Sequence, residues 1–467
     1  MAQRNKEAVV GHLQTQRRKL EAAEGLPFRH LLDPQRIKTA LEHAGVKFRE
    51  RVYDPLTTLY AFLSQAVASK DSSCEDAVSR ILVDRIANHK AACSTDTSSY
   101  CKARRRLPEG VIASLARETG QELDRDAAPQ WLWKGRHVKI VDGSTAEMTD
   151  TSENQKEYPQ SRTQKPGLGF PMLRMVVFFS LAVGTVLECA IGPCRGKKTG
   201  EQSLFRQLWD ALQPDDIVLG DCLYDAFRDS APLKARGIDT LFGKKQSRAV
   251  DFRTGRHLGP DDHVVTWKKP KYDAQRFASR REWKALPEEL EMRELRCVVR
   301  RAGYRTRTII VVTTLLDAAL YPAEELTDLF ALRWHCELDL RSLKQALGMR
   351  RLRCQTPAMV RKELWVYLLA YNLVRVRMAQ AAAVHNALPR RLSFTAAKTH
   401  IHNFAVPLSS ASRSERARLE AELLKAIASC RVGQRPGRKE PRAVKKRQQK
   451  YSYLTKPRAQ ARKRLPA

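Results

Sequence analysis

The sequence predicts an α/β fold: a β-sheet core with a β-rich insertion, flanked by helical N- and C-terminal regions. Three observations predict it. Apolar residues recur with helical spacing before residue 125 and again after residue 350. Between these regions the pattern changes to short β-branched runs alternating with amphipathic helices. Residues 246–308 then mix Arg, Lys, Gly and Pro with short apolar patches such as Val264-Val-Thr-Trp267 and Leu295-Arg-Cys-Val-Val-Arg300. With 467 residues, 43% of them hydrophobic, the chain has material for several domains. The expected organisation is a helical N-terminal region at 1–125 and the first part of the core at 126–245. The insertion follows at 246–308, the second part of the core at 309–350, a helical region at 351–430, and a basic, disordered tail at 431–467.

Charge limits the partners. Lys and Arg total 84 against 51 Asp and Glu, a net charge of +33. Such an excess points to a polyanion, most simply nucleic acid, although phosphate contacts by themselves read no sequence. No run reaches the ~18 apolar residues of a membrane span. The opening Met1-Ala-Gln-Arg-Asn-Lys6 leads into charged residues rather than an apolar signal core. The expectation is a cytoplasmic protein with no membrane partner. The ten cysteines include no Cys-x-x-Cys pair, and neither Cys93/Cys101 nor Cys189/Cys194 has zinc-ligand spacing, so reduced thiols are expected. No repeat of fixed period is present.

In the N-terminal region, Asp33-Pro34 reads as an N-cap followed by Pro in the first helical turn. Leu56 to Val67 is apolar with helical spacing. Ser72-Ser-Cys-Glu75 reads as a capping box opening a helix from Asp76 to Asn88. A polar linker then leads to the basic helix Thr97 to Arg106. Two short helices of this kind could form a helix-turn-helix with Lys102, Arg104 and Arg105 against DNA. A basic, solvated helix end explains the same residues.

The core begins with His137-Val-Lys-Ile-Val-Asp142, a β-branched run ending in an acid. Leu173–Val183 and Val186–Ile191 read as strands joined by a turn at Gly184-Thr185. A helix from Thr199 to Leu212 follows. Asp216-Ile-Val-Leu-Gly-Asp221 is a strand that also ends in an acid. A helix closed by Gly237 then leads to the strand Asp239–Gly243. The order β-β-β-α-β-α-β, with acids at the ends of the first and fourth strands, matches the ribonuclease H-like fold, in which those strands are neighbours. Two carboxylates brought together repel unless a cation lies between them, and oxygen-only ligands suit magnesium or manganese rather than zinc.

After the insertion, Tyr304–Thr314 reads as one more strand, and Pro322 opens a helix that carries Phe330 to Lys344. On one continuous helical wheel, at about 100° per residue, Arg333, Glu337, Arg341 and Lys344 share a narrow stripe with Phe330. Asp339 lies on the opposite face. Spacing alone equally describes ordinary i,i+4 salt bridges. Further on, Thr356-Pro357 starts a long helix whose Leu364, Leu368, Tyr371 and Leu373 are apolar among Arg361, Lys362, Arg375 and Arg377. Ser414–Ala428 reads as another helix, and the Lys/Arg-rich segment beyond 431 as disordered.

The spacing Phe330-(2)-Arg333-(3)-Glu337-(6)-Lys344 resembles the Tyr-(2)-Arg-(3)-Glu-(6)-Lys signature of DDE-class bacterial transposases of the insertion sequence four family. It departs from that signature in having Phe for Tyr. Val141-Asp142-Gly-Ser144, Asp150-Thr-Ser-Glu-Asn154, Lys165-Pro-Gly-Leu-Gly-Phe-Pro171 and Leu219-Gly-Asp221 resemble the other blocks of the family, although Cys222 stands where Arg is usual. The resemblance covers roughly residues 50–400.

It implies that Asp142, Asp221 and Glu337 are catalytic and hold two Mg2+ or Mn2+ ions, with Arg333, Lys344 and Arg341 on DNA phosphates. It implies hydrolysis at the terminal inverted repeats, then transesterification into target DNA by a synaptic homodimer, with no nucleotide cofactor. The setting it implies is the bacterial cytoplasm, on the nucleoid when bound to DNA. Relatives with an inserted β-region cut the second strand through a hairpin and hold a flipped base on a Trp. Here Trp267, flanked by Lys268 and Lys269, is the preferred candidate and Trp283 the other; either Trp could equally pack the insertion. Two other functions share these features: a degenerate element that binds DNA as a repressor, and a structure-selective nuclease.

Overall fold

The computed structural model describes residues 32–48, 51–67, 73–87, 89–273, 279–299, 307–433 and 452–463. They divide into two compact units: a helical unit drawn from Met1–Gly135, Ala182–Glu188 and Leu338–Val432, and a sheet unit drawn from Arg136–Leu181, Cys189–Glu337 and Gly433–Ala467.

The helical unit opens with α1 (Pro34–His43), where the Asp33 side chain accepts from the Gln35 backbone N–H at 2.9 Å, as an N-cap should. Then come α2 (Pro55–Val67), α3 (Cys74–Ala87), α4 (Ser98–Arg106) and α5 (Glu109–Arg125). Ser73 caps α3, its hydroxyl accepting from the Asp76 N–H at 3.2 Å. Ser72 and Asn88, expected at the ends of that helix, lie outside the described residues.

The centre of this unit is α12 (Pro357–Val384), a 28-residue helix buried around most of its circumference rather than along one face. Its charged residues are therefore inside and paired. Arg375 donates to Asp339, which also receives two bonds of 2.9 Å from Arg390. Arg377 donates to Glu420 at 2.8 Å. Asn372, fully buried, accepts from Val186 N–H and donates to the carbonyls of Val186 and Ala116, each at 2.8 Å. This amide ties α12 to α5 and to the turn at 182–188. Two further helices follow, α13 (Phe394–Ser410) and α14 (Arg413–Ser429), the latter with a full capping box between Ser412 and Glu415.

The sheet unit is built on one mixed sheet in the order β3-β2-β1-β4-β5-β9-β8-β7-β6. Strand β1 (Val138–Met148) pairs antiparallel with β2 (Met172–Ser180) and parallel with β4 (Ile217–Gly220). β3 (Val186–Pro193) lies outside β2, and β4 pairs parallel with β5 (Asp239–Gly243). The 3-2-1-4-5 order with this strand sense is the ribonuclease H-like arrangement. The short helices are α6 (Ser152–Glu157), α7 (Glu201–Arg206) and α8 (Phe227–Ala235).

The insertion does not stand apart as an interruption. Its strands β6 (Arg256–Gly259), β7 (Asp262–Lys268) and β8 (Glu289–Val299) join β9 (Arg307–Thr313) in an antiparallel meander. β9 pairs with β5, so the sheet continues without a break. The physical reason is that the open edge of β5 finds its backbone partners in β9. Arg293, fully buried, locks this extension by donating to Asp262 at 2.8 Å and to the Tyr321 carbonyl at 2.7 Å.

Two expectations are corrected here. Asp142 is not at the end of its strand, because β1 runs six residues further, to Met148, paired with β2 (Asp142↔Val177). And the helix expected to run unbroken through Phe330 to Lys344 is three pieces: α10 (Ala323–Ala331), α11 (Trp334–Arg341) and a π-helical turn, Ser342–Ala346. At the first break the hydrogen bonds tighten to i→i−3, with Arg333 N–H on Phe330 O at 3.1 Å and Cys336 N–H on Arg333 O at 3.0 Å. Of the tail expected to be disordered, 434–451 and 464–467 lie outside the described residues, while Arg458–Arg462 forms a short helix, α15. Among the described residues no helix is long and apolar enough to cross a membrane.

Candidate active site

The β1–β4 pair explains how two distant acids come level. Their parallel register ends at Ile140↔Leu219. Asp142 lies two residues beyond that pair on β1 and Asp221 one residue past the end of β4, near enough for the Asp221 carboxylate to act on Asp142. Each carboxylate is held by its own backbone. Asp142 Oδ1 accepts from Gly143 N–H, and Asp221 Oδ1 from Leu223 N–H, both at 2.8 Å.

The pocket around Asp142 disfavours its charge. Burial pushes its carboxyl up to about 6, and the nearby Asp221 and Glu201 carboxylates push the same way, against the Gly143 N–H and the Arg333 guanidinium. Close to the acids lies Tyr224, 1% exposed, whose hydroxyl has no hydrogen-bond partner among the described residues. Burial raises its pKa, and the charges of Asp142, Glu201 and Asp221 raise it further.

Glu337 is the last residue of the sheet unit, and Arg333 Nη2 lies 3.5 Å from its Oε1. The same guanidinium acts on Asp142, so one cation serves both acids. Phe330, in the position where the signature has Tyr, packs toward Gly243. Arg341, exposed, and Lys344, half-buried, lie past Leu338 and belong to the helical unit. The π-turn moves Lys344 off the stripe that a single wheel gives it. Asp339 is fully occupied by Arg375 and Arg390, consistent with its place on the other face.

Among the described residues no group of three or more His, Cys, Asp or Glu side chains is gathered closely enough to hold a metal ion. The donor chemistry of Asp142, Asp221 and Glu337 nevertheless fits a hard divalent cation. All the donors are carboxylate oxygens, and a cation would offset the burial that chiefly raises Asp142, together with the smaller repulsion from Asp221 and Glu201.

Both tryptophan candidates pack against Phe227, Ala231 and Leu286. Trp267 on β7 is half-buried. The Arg248 guanidinium covers one ring face, 3.4 Å from its centroid, and the indole N–H donates to Glu294 at 3.1 Å. Trp283, on α9 (Arg280–Lys284), donates to Pro270 O at 2.8 Å under the Lys269 ammonium. Of the basic residues on α4, Lys102 and Arg105 are exposed. Arg104 turns inward over the Phe62 and Tyr100 rings and donates to Cys74 Sγ at 3.1 Å.

Glu201 and Tyr224 were not marked by sequence reasoning. An acid in the first turn of a helix is usually explained by the helix dipole, so Glu201 gives no signal of its own. Only the fold brings α7 back over Gly143.

A transposase DDE domain family model matches residues 133–373. The chain is 28% identical over 436 residues to the transposase InsG for insertion sequence element IS4 of Escherichia coli K12, covering 91% of this chain and 93% of that protein. It is also similar to a piggyBac transposase in a synaptic complex with hairpin DNA. That likeness has 9% identity and a TM-score of 0.44, over 86% of this chain and 84% of the other.

Proposed function

The chain belongs to the IS4 family of DDE-domain transposases, and from that premise we propose that it cuts DNA at the terminal inverted repeats of an insertion sequence and joins the freed ends to target DNA. The observation that supports this reading is the shared pocket at the ends of the β1–β4 pairing, where the Asp221 carboxylate and the Arg333 guanidinium both act on Asp142 and Arg333 also pairs with Glu337.

Asp142, Asp221 and Glu337 would hold divalent cations. Bound there, such ions supply activation of the attacking oxygen and stabilisation of the leaving 3′-oxygen. Arg333 keeps the acids from repelling one another and presents a guanidinium to a phosphate, a geometry suited to bidentate contact. Arg341 and Lys344 would hold phosphates flanking the reacting one. The net +33 charge supplies salt-dependent affinity for the duplex, to which the exposed Lys102 and Arg105 contribute. Because one phosphodiester replaces another, joining needs no nucleotide cofactor. In the assembly, two copies would each hold one repeat. A base extruded during second-strand cleavage would stack on Trp267 once Arg248 yields that face, gaining about 1–3 kcal/mol.

The test is cleavage of a duplex carrying the element's own ends, with Mg2+ and the purified full chain. Wild-type protein should nick the ends and join them to a target. Glu337→Gln should bind the same duplex with cutting reduced by about a hundredfold or more. Binding by the wild type without nicking would instead identify a repressor, and cutting without joining a nuclease.

A further inference from the structure

We propose that Glu201 is a fourth acid of this site, a positioning residue whose charge beside Asp142 strengthens the hold of the Asp142–Asp221 pair on a divalent cation. The inference rests on the metal-dependent reading above.

Three observations place it there. First, the Glu201 side chain occupies the space where any residue but glycine at 143 would put its Cβ. That atom would lie 2.9 Å from Glu201 Cγ and closer still to the carboxyl group. The residue after Asp142 therefore has no side chain, and a second carboxylate fills the gap. Second, Glu201 is not consumed by a tight ion pair. Arg174 stands 3.7 Å from its Oε1, and the same guanidinium donates to Thr199 O at 3.1 Å, which fixes the chain just before Glu201. The Glu201 side chain is 30% exposed, so it keeps contact with solvent and with whatever enters the site. Third, the Tyr224 hydroxyl, 1% exposed and without a hydrogen-bond partner among the described residues, lies under the influence of Asp142, Glu201 and Asp221 together. A buried hydroxyl with no protein partner, this close to three acids, takes its partner from outside the protein, water or an ion. A carboxylate a few ångströms from a bound cation adds to its affinity through space, without itself being a ligand.

The test is Mn2+ binding to the full chain without DNA, followed by electron paramagnetic resonance. Glu201→Gln keeps the shape and removes the charge, and should weaken Mn2+ binding about tenfold. Glu201→Asp should stay within about threefold, because the charge remains. Arg174→Met breaks the ion pair but leaves the carboxylate, and should bind at least as tightly as wild type. Asp142→Asn should lose the ion. If Glu201→Gln binds like wild type while Asp142→Asn does not, this inference fails and the metal reading stands. If Arg174→Met weakens binding as much as Glu201→Gln, the role of Glu201 is structural and the inference is overturned. If Asp142→Asn also binds like wild type, the metal reading falls and takes this inference with it.

Discussion

Replacing Asp142 by Asn should make the metal-free protein more stable at neutral pH while removing its activity. The carboxyl of Asp142 moves from an ordinary 3.8 to about 6 on folding, chiefly by burial. A raised pKa means that the folded state binds the proton more tightly. The stability that proton brings is complete below 3.8 and is lost as pH rises through 6. At 1.36 kcal/mol per pH unit, holding the charged form in the folded pocket at pH 7 costs ~3 kcal/mol, an upper figure because water reaches part of the carboxylate. Asparagine keeps the acceptor for Gly143 N–H and carries no charge, so it escapes this cost. Urea denaturation in a chelator should show the variant more stable by roughly 1–3 kcal/mol at pH 7, with the gap shrinking to about half a kilocalorie at pH 4. Added Mg2+ should then raise the stability of wild type and leave the variant unchanged. A gap that does not change with pH, or a variant less stable than wild type at pH 7, would refute the reasoning.

Four further substitutions test the helical unit. Gly120→Ala would ordinarily gain ~1 kcal/mol in a helix interior. Here its Cβ would overlap the Val186 carbonyl and lie 2.7 Å from Asn372 Nδ2, so the urea midpoint should instead fall by the equivalent of about 1–3 kcal/mol. Arg104→Ala should lose about 1–2 kcal/mol of stability with the packing over Phe62 and Tyr100, and leave the salt dependence of DNA binding unchanged. Lys102→Ala and Arg105→Ala should each lower that slope by about one in a titration of binding against salt.

The strands themselves were legible in the sequence, because β-branched runs carry a strong local signal, and their order followed from the match to the ribonuclease H-like fold; that β1 runs on past Asp142 to Met148 was not legible. The break between Ala331 and Trp334 was not. Leu332 and Arg333 are good helix formers, and the tightened turn there has no mark in composition. The inward turn of Arg104 was equally hidden. Lys102, Arg104 and Arg105 look alike in a run of basic residues until Phe62, Tyr100 and Cys74, from three different helices, supply a surface for one of them to pack on. α13 escaped notice because Pro407 and two histidines blur its period. For the insertion, composition suggested β-structure, but nothing local showed that β9 would take the edge of β5 and make the two sheets one.

The stretch 182–188 follows directly on a strand of the sheet unit, yet it belongs to the helical unit, where Asn372 clasps Val186. Neither unit is a contiguous stretch of coding sequence. A frameshift or stop anywhere upstream of α12 removes the helix around which the N-terminal helices pack, and no early fragment inherits a finished helical unit. A copy of the gene truncated there would leave no folded helical unit behind, rather than a shortened protein with one unit intact.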